Sequence, residues 1–460
     1  MGNKKNAWLK FDNTKKEEIF SFCEGYKKYI SDCKTERESI KEAIYLAESK
    51  GYRDLKNVIS AGKSLKAGDK AYYNNMDKSL ALFLIGSESI ESGMRIIGSH
   101  VDSPRLDLKP NPLYEDSELS LMETHYYGGV KKYQWVTIPL ALHGVVVKKD
   151  GTKIDVVVGE EETDPVVMVS DLLVHLASEQ QQKKATEVIA GEDLNILVGS
   201  MPLEGEEKEA VKANILKLLK EKYDFEEEDF MSAEIEIVPA GKARDLGLDR
   251  SMVAGYGHDD RICAYTSLLA LLETESTKKT SVVLLVDKEE VGSIGATGMQ
   301  SRFFENAVAE LMDRVGEYSE LKLRRALANS KMLSSDVTAA FDPNYAGAYE
   351  KKNSAFFGKG LAFAKYTGAR GKSGCNDANA EFVAWLRNVM DENDVAYQMA
   401  ELGKVDQGGG GTIAYILAEY GMEVIDCGVA LQNMHAPWEV ASKVDIFETM
   451  RGYKAFLMAE

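Results

Sequence analysis

The chain is poor in cysteine and histidine and lacks long apolar runs. Its five cysteines stand at positions 23, 33, 263, 375 and 427, and no pair has the spacing of a metal site. An odd number of thiols predicts reduced, mostly buried side chains in a reducing compartment. The longest uncharged stretch near the middle of the chain covers residues 134–147 and contains a proline. A membrane span needs about 18 or more apolar residues, so none is predicted.

Basic residues are also too few to support a polyanionic partner. There are 56 Lys and Arg against 74 Asp and Glu, for a net charge of −18. Nucleic acids and anionic membranes are held mainly by clusters of Lys and Arg, so we expect neither as a partner. The first 18 residues contain no apolar run typical of a signal peptide. Together these features predict a cytoplasmic protein.

Strand and helix patterns alternate from about residue 241 onward. Short β runs also precede residue 100, whereas residues 110–240 contain β-rich runs followed by a charged amphipathic helix. Alternation predicts an α/β fold with a parallel or mixed sheet and helices on both faces. We therefore expect one α/β domain formed by residues 1–109 and 241–460, with a second, β-rich domain inserted at 110–240.

A histidine and an aspartate follow the first strongly apolar strand. The run from Met94 ends at Gly98, which puts His100 at the carboxyl end of a predicted strand, where ligands bind in open α/β sheets. Alternation along the chain places Asp102 on the same side, where its carboxylate can orient the imidazole. A loop histidine with a nearby aspartate explains the pattern equally well.

Two adjacent glutamates follow the most apolar strand. Residues 281–286 form an unbroken apolar run, and Glu289 and Glu290 stand between it and a glycine turn. Buried carboxylates are costly unless a metal ion or an arginine neutralises them. This position therefore favours a functional role over surface decoration.

Three further positions carry ligand-type side chains beside predicted elements. Asp259 and Asp260 precede a helix, and taken alone either one is explained as its N-cap. His258, just before them, is likewise explained by a structural role. Asp336 follows a short apolar run, and an Asx-turn explains it as well as a functional role does. His435 follows the strand at 424–431. Considered together, two imidazoles and three carboxylates suit two borderline divalent ions if one carboxylate bridges them, and one further carboxylate remains as a base.

These residues stand in motifs that resemble a known family. The motifs are GSHVDSP, THYYGG at 124–129 with Trp135 after it, SDLLVHL at 170–176, HDDR, DKEEVGS, SSDV and the long tail GGGGTIAYILAEYGMEVIDCGVALQNMHAPWEV. Their order is similar to that of the aspartyl aminopeptidases, co-catalytic zinc metallopeptidases that include the vacuolar aminopeptidase I. The chain resembles a bacterial member, and the resemblance implies a zinc-exopeptidase-like fold.

The resemblance also implies a role for each candidate residue. One zinc ion is expected at His100, Asp259 and Asp336, and a second at Asp259, Glu290 and His435, with Asp259 as the bridge. Glu289 is the implied general base, and Asp102 is implied to orient His100. The implied reaction is hydrolysis of the N-terminal residue from short peptides, through a water held between the two ions.

The inserted segment is implied to be a dimerisation domain. His175 lies there in a mostly apolar stretch, which on sequence alone favours a core histidine. The family pattern instead implies that it reaches the active site of a neighbouring subunit. Family members assemble as tetrahedral dodecamers, so a homo-oligomer is expected.

The sequence departs from the eukaryotic members at two segments, residues 366–382 and 436–439. Lys365 and Lys372 lie where the family places its substrate-side segment, and they are candidates for binding an acidic first residue. The preference between acidic and neutral first residues stays open. Two alternative functions also stay open: a dinuclear amidase or deacylase, and a non-catalytic binding protein that kept the fold.

Overall fold

The computed structural model describes residues 5–460, which divide into two compact units. The first unit runs to Asp102 and continues through Ala243–Met434 and Glu439–Glu460, and the second contains Ser103–Lys242 and His435–Trp438. The sequence analysis placed the insertion at 110–240 and did not assign residues 435–438 to it. Among the described residues, no helix combines the length and apolar character needed to cross a membrane.

The elements follow one another as helices and short strands. The helices are α1 Asn13–Asp32, α2 Glu36–Ser49, α3 Leu55–Ser60, α4 Ala210–Tyr223, α5 His258–Leu272, α6 Phe303–Arg314, α7 Glu320–Ala328, α8 Ala380–Glu392, α9 Ala414–Ala418 and α10 Lys443–Met458. The strands are β1 Arg53–Asp54, β2 Lys70–Asn75, β3 Ser79–Leu84, β4 Met94–His100, β5 Arg105–Asp116, β6 Leu119–Tyr127, β7 Leu140–Val147, β8 Lys153–Val158, β9 Met168–Val169, β10 Ile196–Gly199, β11 Ala233–Pro239, β12 Arg244–Leu246, β13 Met252–Gly255, β14 Thr280–Val286, β15 Lys331–Ser335, β16 Thr338–Ala339, β17 Leu361–Ala364, β18 Tyr397–Met399, β19 Glu423–Gly428, β20 Ala430–Gln432 and β21 Glu439–Ser442.

A nine-stranded mixed sheet organises the first unit. Its strand order is β1-β2-β3-β14-β4-β15-β19-β17-β18. The central strands β14, β4, β15 and β19 are parallel to one another, while β3 and β17 run antiparallel to their central neighbours. The mixed, mainly parallel sheet of the predicted α/β fold is confirmed.

Both faces of this sheet are covered by helices. Along β14, Val283 and Leu285 pack into one core with side chains from α2, α5, α8 and α10. Val282, Leu284 and Val286 pack into a second core with side chains from α3, α6, α7 and α9. Burial on both faces explains why this strand is an unbroken apolar run rather than an alternating one.

The predicted strand at 424–431 is divided between two sheets. β19 belongs to the nine-stranded sheet, and β20 belongs to a five-stranded sheet with the order β12-β13-β21-β20-β16. Gly428 ends β19, and a Cβ built on it would lie 2.0 Å from the carbonyl O of Asp336. Only glycine permits this close approach, which brings the chain that follows β15 against the end of β19.

The second unit is built on an antiparallel sheet of seven strands. Their order is β8-β7-β11-β5-β6-β10-β9, and every pairing is antiparallel. α4 packs against β5, β6 and β10. Its amphipathic, partly exposed character agrees with the charged helix predicted from the sequence.

Candidate metal centre

Neighbouring parallel strands bring most of the candidate side chains to one edge of the large sheet. β4 ends at His100, which pairs with Val286 at the end of β14. A short 3-10 turn, Glu289–Val291, follows β14, and Asp336 directly follows β15. Because the carboxyl ends of parallel strands meet at the same edge, this topology gathers residues that are far apart in sequence.

The His100 ring is oriented so that one nitrogen faces carboxylates. Its Nδ1 lies 3.0 Å from the carbonyl O of Asp102, and a carbonyl only accepts, so Nδ1 carries the hydrogen. Nε2 lies 3.1 Å from Oδ1 of Asp259, 3.7 Å from Oδ1 of Asp336 and 3.9 Å from Oε2 of Glu289. Anionic oxygens gathered around this nitrogen favour a positive charge between them, either a proton on Nε2 or a metal ion.

Ligand-type atoms converge in two groups of three that share His100. One group joins it with Asp260 and Asp336, and the other with Asp259 and Glu290; within each group the ligand atoms lie within 4.8 Å of one another. The sequence analysis did not predict that Asp260 lies beside His100 and Asp336, although the Asp259–Asp260 doublet was the signal. The N-cap explanation does not fit Asp260, because its Oδ2 accepts a hydrogen bond from the His100 backbone N–H on β4.

The start of α5 has an unusual backbone that presents this doublet. Asp259 and Asp260 have non-helical φ/ψ angles, and the peptide bond between them is cis. Gly257 has a φ of +72°, and a Cβ there would lie 1.6 Å from an Arg261 guanidinium nitrogen, so only glycine fits. His258 is buried and structural, with its Nδ1 2.5 Å from the Tyr26 hydroxyl.

Asp102 contacts both His100 and the turn that carries Glu289 and Glu290. Its side chain is fully buried, and its two carboxylate oxygens accept hydrogen bonds from the N–H groups of Glu289 and Glu290, each at 3.2 Å. The carboxylate also lies 3.4 Å from Nδ1 of His100. One side chain therefore contacts both the imidazole and the turn that carries the two glutamates.

The electrostatics of the group favour occupation by a cation. Burial raises the pKa of Glu289 to about 8, and the charges of nearby aspartates contribute to the rise. Burial and the charge of Asp336 raise the pKa of Asp260 well above its usual range. Burial lowers the pKa of His100, but its carboxylate contacts outweigh burial and raise the pKa well above its usual value.

This donor set fits zinc. Imidazole nitrogen and carboxylate oxygen are ordinary zinc ligands, and a divalent cation would offset the mutual repulsion that raises these pKa values. The carbonyl contact at Nδ1 of His100 is the kind of outer contact that metal-ligating histidines make, because it fixes the tautomer.

His435 lies in the second unit. Its Nδ1 is 2.8 Å from the carbonyl O of Gly129. The backbone φ angle of His435 is +66°, in the left-handed region. Since the carbonyl accepts, Nδ1 is protonated and Nε2 carries the lone pair. The contact involves the THYYGG motif, so two segments singled out from the sequence meet within this unit.

The apolar stretch around His175 is not a core element. His175 itself is exposed, and Val174 and Leu176 beside it are 67% and 66% exposed. The interpretation as a core histidine, which the sequence alone favoured, is wrong. A mostly apolar stretch looks like core in a sequence because nothing local distinguishes a buried surface from one left open to solvent.

The two candidate substrate lysines lie beside an aspartate. Nζ of Lys365 is 3.5 Å and Nζ of Lys372 is 2.7 Å from the Asp377 carboxylate. Lys372 also lines a cavity of about 240 Å³, together with Arg370 and Lys404. The sequence analysis did not single out these last two, because loop residues of unknown conformation give no periodicity signal.

Comparisons with known proteins identify the family. Residues 29–457 match the family described as Aminopeptidase I zinc metalloprotease (M18). A protein of Clostridium acetobutylicum named Probable M18 family aminopeptidase 1 is 66% identical over 454 residues, covering 98% of each chain. The crystal structure of an M18-family aminopeptidase from Thermotoga maritima is 45% identical, with a TM-score of 0.94 and 99% of each chain covered. A more distant solved structure, described as the S. cerevisiae mApe1 dodecamer, shares the fold at 21% identity and a TM-score of 0.77, with 95% of this chain and 96% of that chain covered.

The mixed α/β sheet carries an imidazole and several carboxylates at its carboxyl edge. Together with these matches, this arrangement defines the class: metal-dependent hydrolases that act as aminopeptidases. More particularly, the chain belongs to the M18 family of zinc metalloproteases. The predicted family, fold class and aminopeptidase activity are confirmed, and zinc is the metal of the family.

Proposed function

We propose that the enzyme removes the N-terminal residue of short peptides at a site of two zinc ions. The observation that supports this proposal is the convergence of carboxylates on His100, in the two groups of ligand atoms found among the described residues. The single lone pair of His100 Nε2 can bind only one ion, so a second ion needs a bridging carboxylate. We assign Asp336, Glu290 and His435 as further ligands and Asp259 as the bridge. The 3.1 Å contact between Asp259 and Nε2 of His100 supports the last assignment. Asp260, whose Oδ2 accepts a hydrogen bond from the His100 backbone N–H, positions the strand end.

Glu289 is proposed as the general base. It lies outside both groups of three ligand atoms found among the described residues, and its carboxylate is 3.9 Å from Nε2 of His100. Bound zinc supplies positive charge that acidifies a water molecule and polarises the scissile carbonyl. Glu289 takes the proton from the attacking water and gives it to the leaving amine. Asp102 holds the turn so that this carboxylate keeps its position.

His175 is proposed to act in the site of a second copy of the chain. Its exposed position beside Val174 and Leu176 supports this role, because a contiguous exposed apolar stretch typically marks an interaction surface. A neutral or charged imidazole can donate a hydrogen bond to the developing oxyanion. The second unit then serves as a dimerisation domain, and we extend the dodecamer described for the S. cerevisiae mApe1 structure to this chain as a proposal.

The cavity that contains Lys372 is lined by three basic side chains and one acidic one, Glu401, and this excess of positive charge supports a preference for acidic substrate side chains. Lys372 shares Asp377 with Lys365, so an incoming carboxylate would compete with that aspartate. The cytoplasmic location stays a prediction, supported by five free cysteines.

The test combines metal analysis with turnover. Zinc content and hydrolysis of aminoacyl nitroanilides, with their N-acylated counterparts, are measured on one preparation. We expect two ions per chain and cleavage only of substrates with a free α-amine. Asp259→Ala should lose both ions, whereas the matched Asp260→Asn variant should retain them. Two ions retained in Asp259→Ala would reject the bridging assignment.

A further inference from the structure

The backbone of Asp259 is held by a buried carboxylate from a distant part of the chain. Glu439 begins β21 and is 1% exposed. Its Oε2 accepts a hydrogen bond from the Asp259 N–H at 3.0 Å. The two segments are also joined by the sheet, since Glu439 pairs with Gly255 across β13 and β21.

The position of Asp259 explains why an outside acceptor is needed. The first N–H groups of a helix have no acceptor within the helix, and Asp259 departs from helical geometry with a φ of −79° and a ψ of 106°. A buried N–H left without an acceptor is costly. A charged acceptor forms a stronger bond than a neutral one, so this carboxylate fixes the peptide unit firmly.

The neighbouring residues are fixed as well. The ring of His258, one residue before Asp259, contacts the Tyr26 hydroxyl. On the other side, the Asp260 carboxylate accepts the N–H of His100. Together with the bond from the Asp259 N–H to Glu439, these contacts restrain the backbone on both sides of the Asp259 carboxylate.

We propose that Glu439 is a positioning residue for zinc binding: it holds the Asp259 carboxylate in place through the Asp259 backbone, without itself binding the ion. The inference rests on the proposed role of Asp259 as a zinc ligand. Glu439 lies at the end of one of the segments in which the sequence departs from eukaryotic members, and the ligand motifs alone did not identify it.

The expected effect is on zinc affinity. Removing an outer contact that orients a metal ligand typically weakens metal binding about 10- to 100-fold. Glu439→Met, which keeps the length of the side chain but has no acceptor for the N–H, should show this loss. Glu439→Gln keeps one acceptor oxygen, although a neutral one, and should recover most of the affinity.

Asp445 offers a matched control. It is also a buried carboxylate, and it accepts the backbone N–H groups of Gly358 at 2.7 Å and Gly360 at 2.6 Å. Asp445→Leu should therefore lower stability by a comparable route and leave zinc affinity unchanged. A general loss of stability would lower zinc affinity in both variants alike, whereas a positioning role would lower it only in the Glu439 variant.

The measurement is the zinc dissociation constant of the full chain, obtained by competition with a chromogenic chelator and normalised to the folded fraction from circular dichroism. Wild-type affinity in Glu439→Met, or equal losses in Glu439→Met and Glu439→Gln, would overturn the inference. Asp259→Ala separates the two claims. If that variant binds zinc normally, the proposed ligand set fails; if it loses zinc while Glu439→Met does not, only the positioning role fails.

Discussion

Replacing Asp102 by Asn should weaken zinc binding more than it weakens the metal-free fold. The carboxylate has two acceptor oxygens, and each receives one N–H of the turn that carries Glu289 and Glu290. An amide has one oxygen and one NH₂ group, so in either orientation one turn N–H faces another donor. Asn therefore preserves size but breaks one of the two bonds.

The magnitude follows from these contacts. An orphaned buried donor costs about 1–3 kcal/mol, and the surviving bond becomes a weaker neutral one. We expect the unfolding free energy to fall by about 2–4 kcal/mol when zinc is present. Without zinc the loss should be smaller, because the Asp102 charge also repels Glu289 and raises its pKa, after the larger effect of burial. Zinc affinity should fall about 10- to 100-fold.

The assay is urea unfolding with and without zinc, combined with a chelator competition for zinc affinity. Asp445→Asn is the control, since it also changes a buried carboxylate that accepts two backbone N–H groups, and its cost should not depend on zinc. The reasoning is refuted if Asp102→Asn loses equal stability in both conditions and binds zinc like the wild type.

Two further predictions concern the reaction itself. Glu289→Gln should fold and load zinc, yet turn over about a hundred- to ten-thousand-fold more slowly, as expected for loss of a general base; more than a tenth of wild-type turnover would exclude Glu289 from this role. His175→Ala should bind zinc normally and lose about 2.7–4 kcal/mol of transition-state stabilisation. Mixing it with Glu289→Gln should partly restore activity, because one site of a mixed dimer then combines an intact base with an intact partner histidine. Demonstrated subunit exchange without recovered activity would contradict a role in trans.

The strand ends were predictable because they depend on local pattern and a general rule of topology. An apolar run of strand length that ends in a polar turn identifies β4, β14 and β15, and parallel strands share an edge. His100 and Glu289 could therefore be assigned to one site before any coordinate was known. The order of the strands within the sheet was not needed for that step, only that they are parallel.

The remaining features depend on contacts that sequence pattern does not encode. The Asp259–Asp260 doublet matched an N-cap because capping is the commonest role of aspartate before a helix, while its actual conformation depends on Gly257 and on Glu439 from β21. The strand predicted at 424–431 divides at Gly428 because the chain beyond Asp336 packs directly against it. Both are long-range effects on a locally plausible pattern.

The concentration of acid at the sheet edge separates a functional site from a structural one. A fold gains no stability from burying Asp260 and Glu289 beside further aspartates, since desolvation and the charges of those neighbours both disfavour the charged forms. A cluster that costs stability in the metal-free chain, and that a divalent cation would relieve, is explained by zinc binding and not by the needs of the fold.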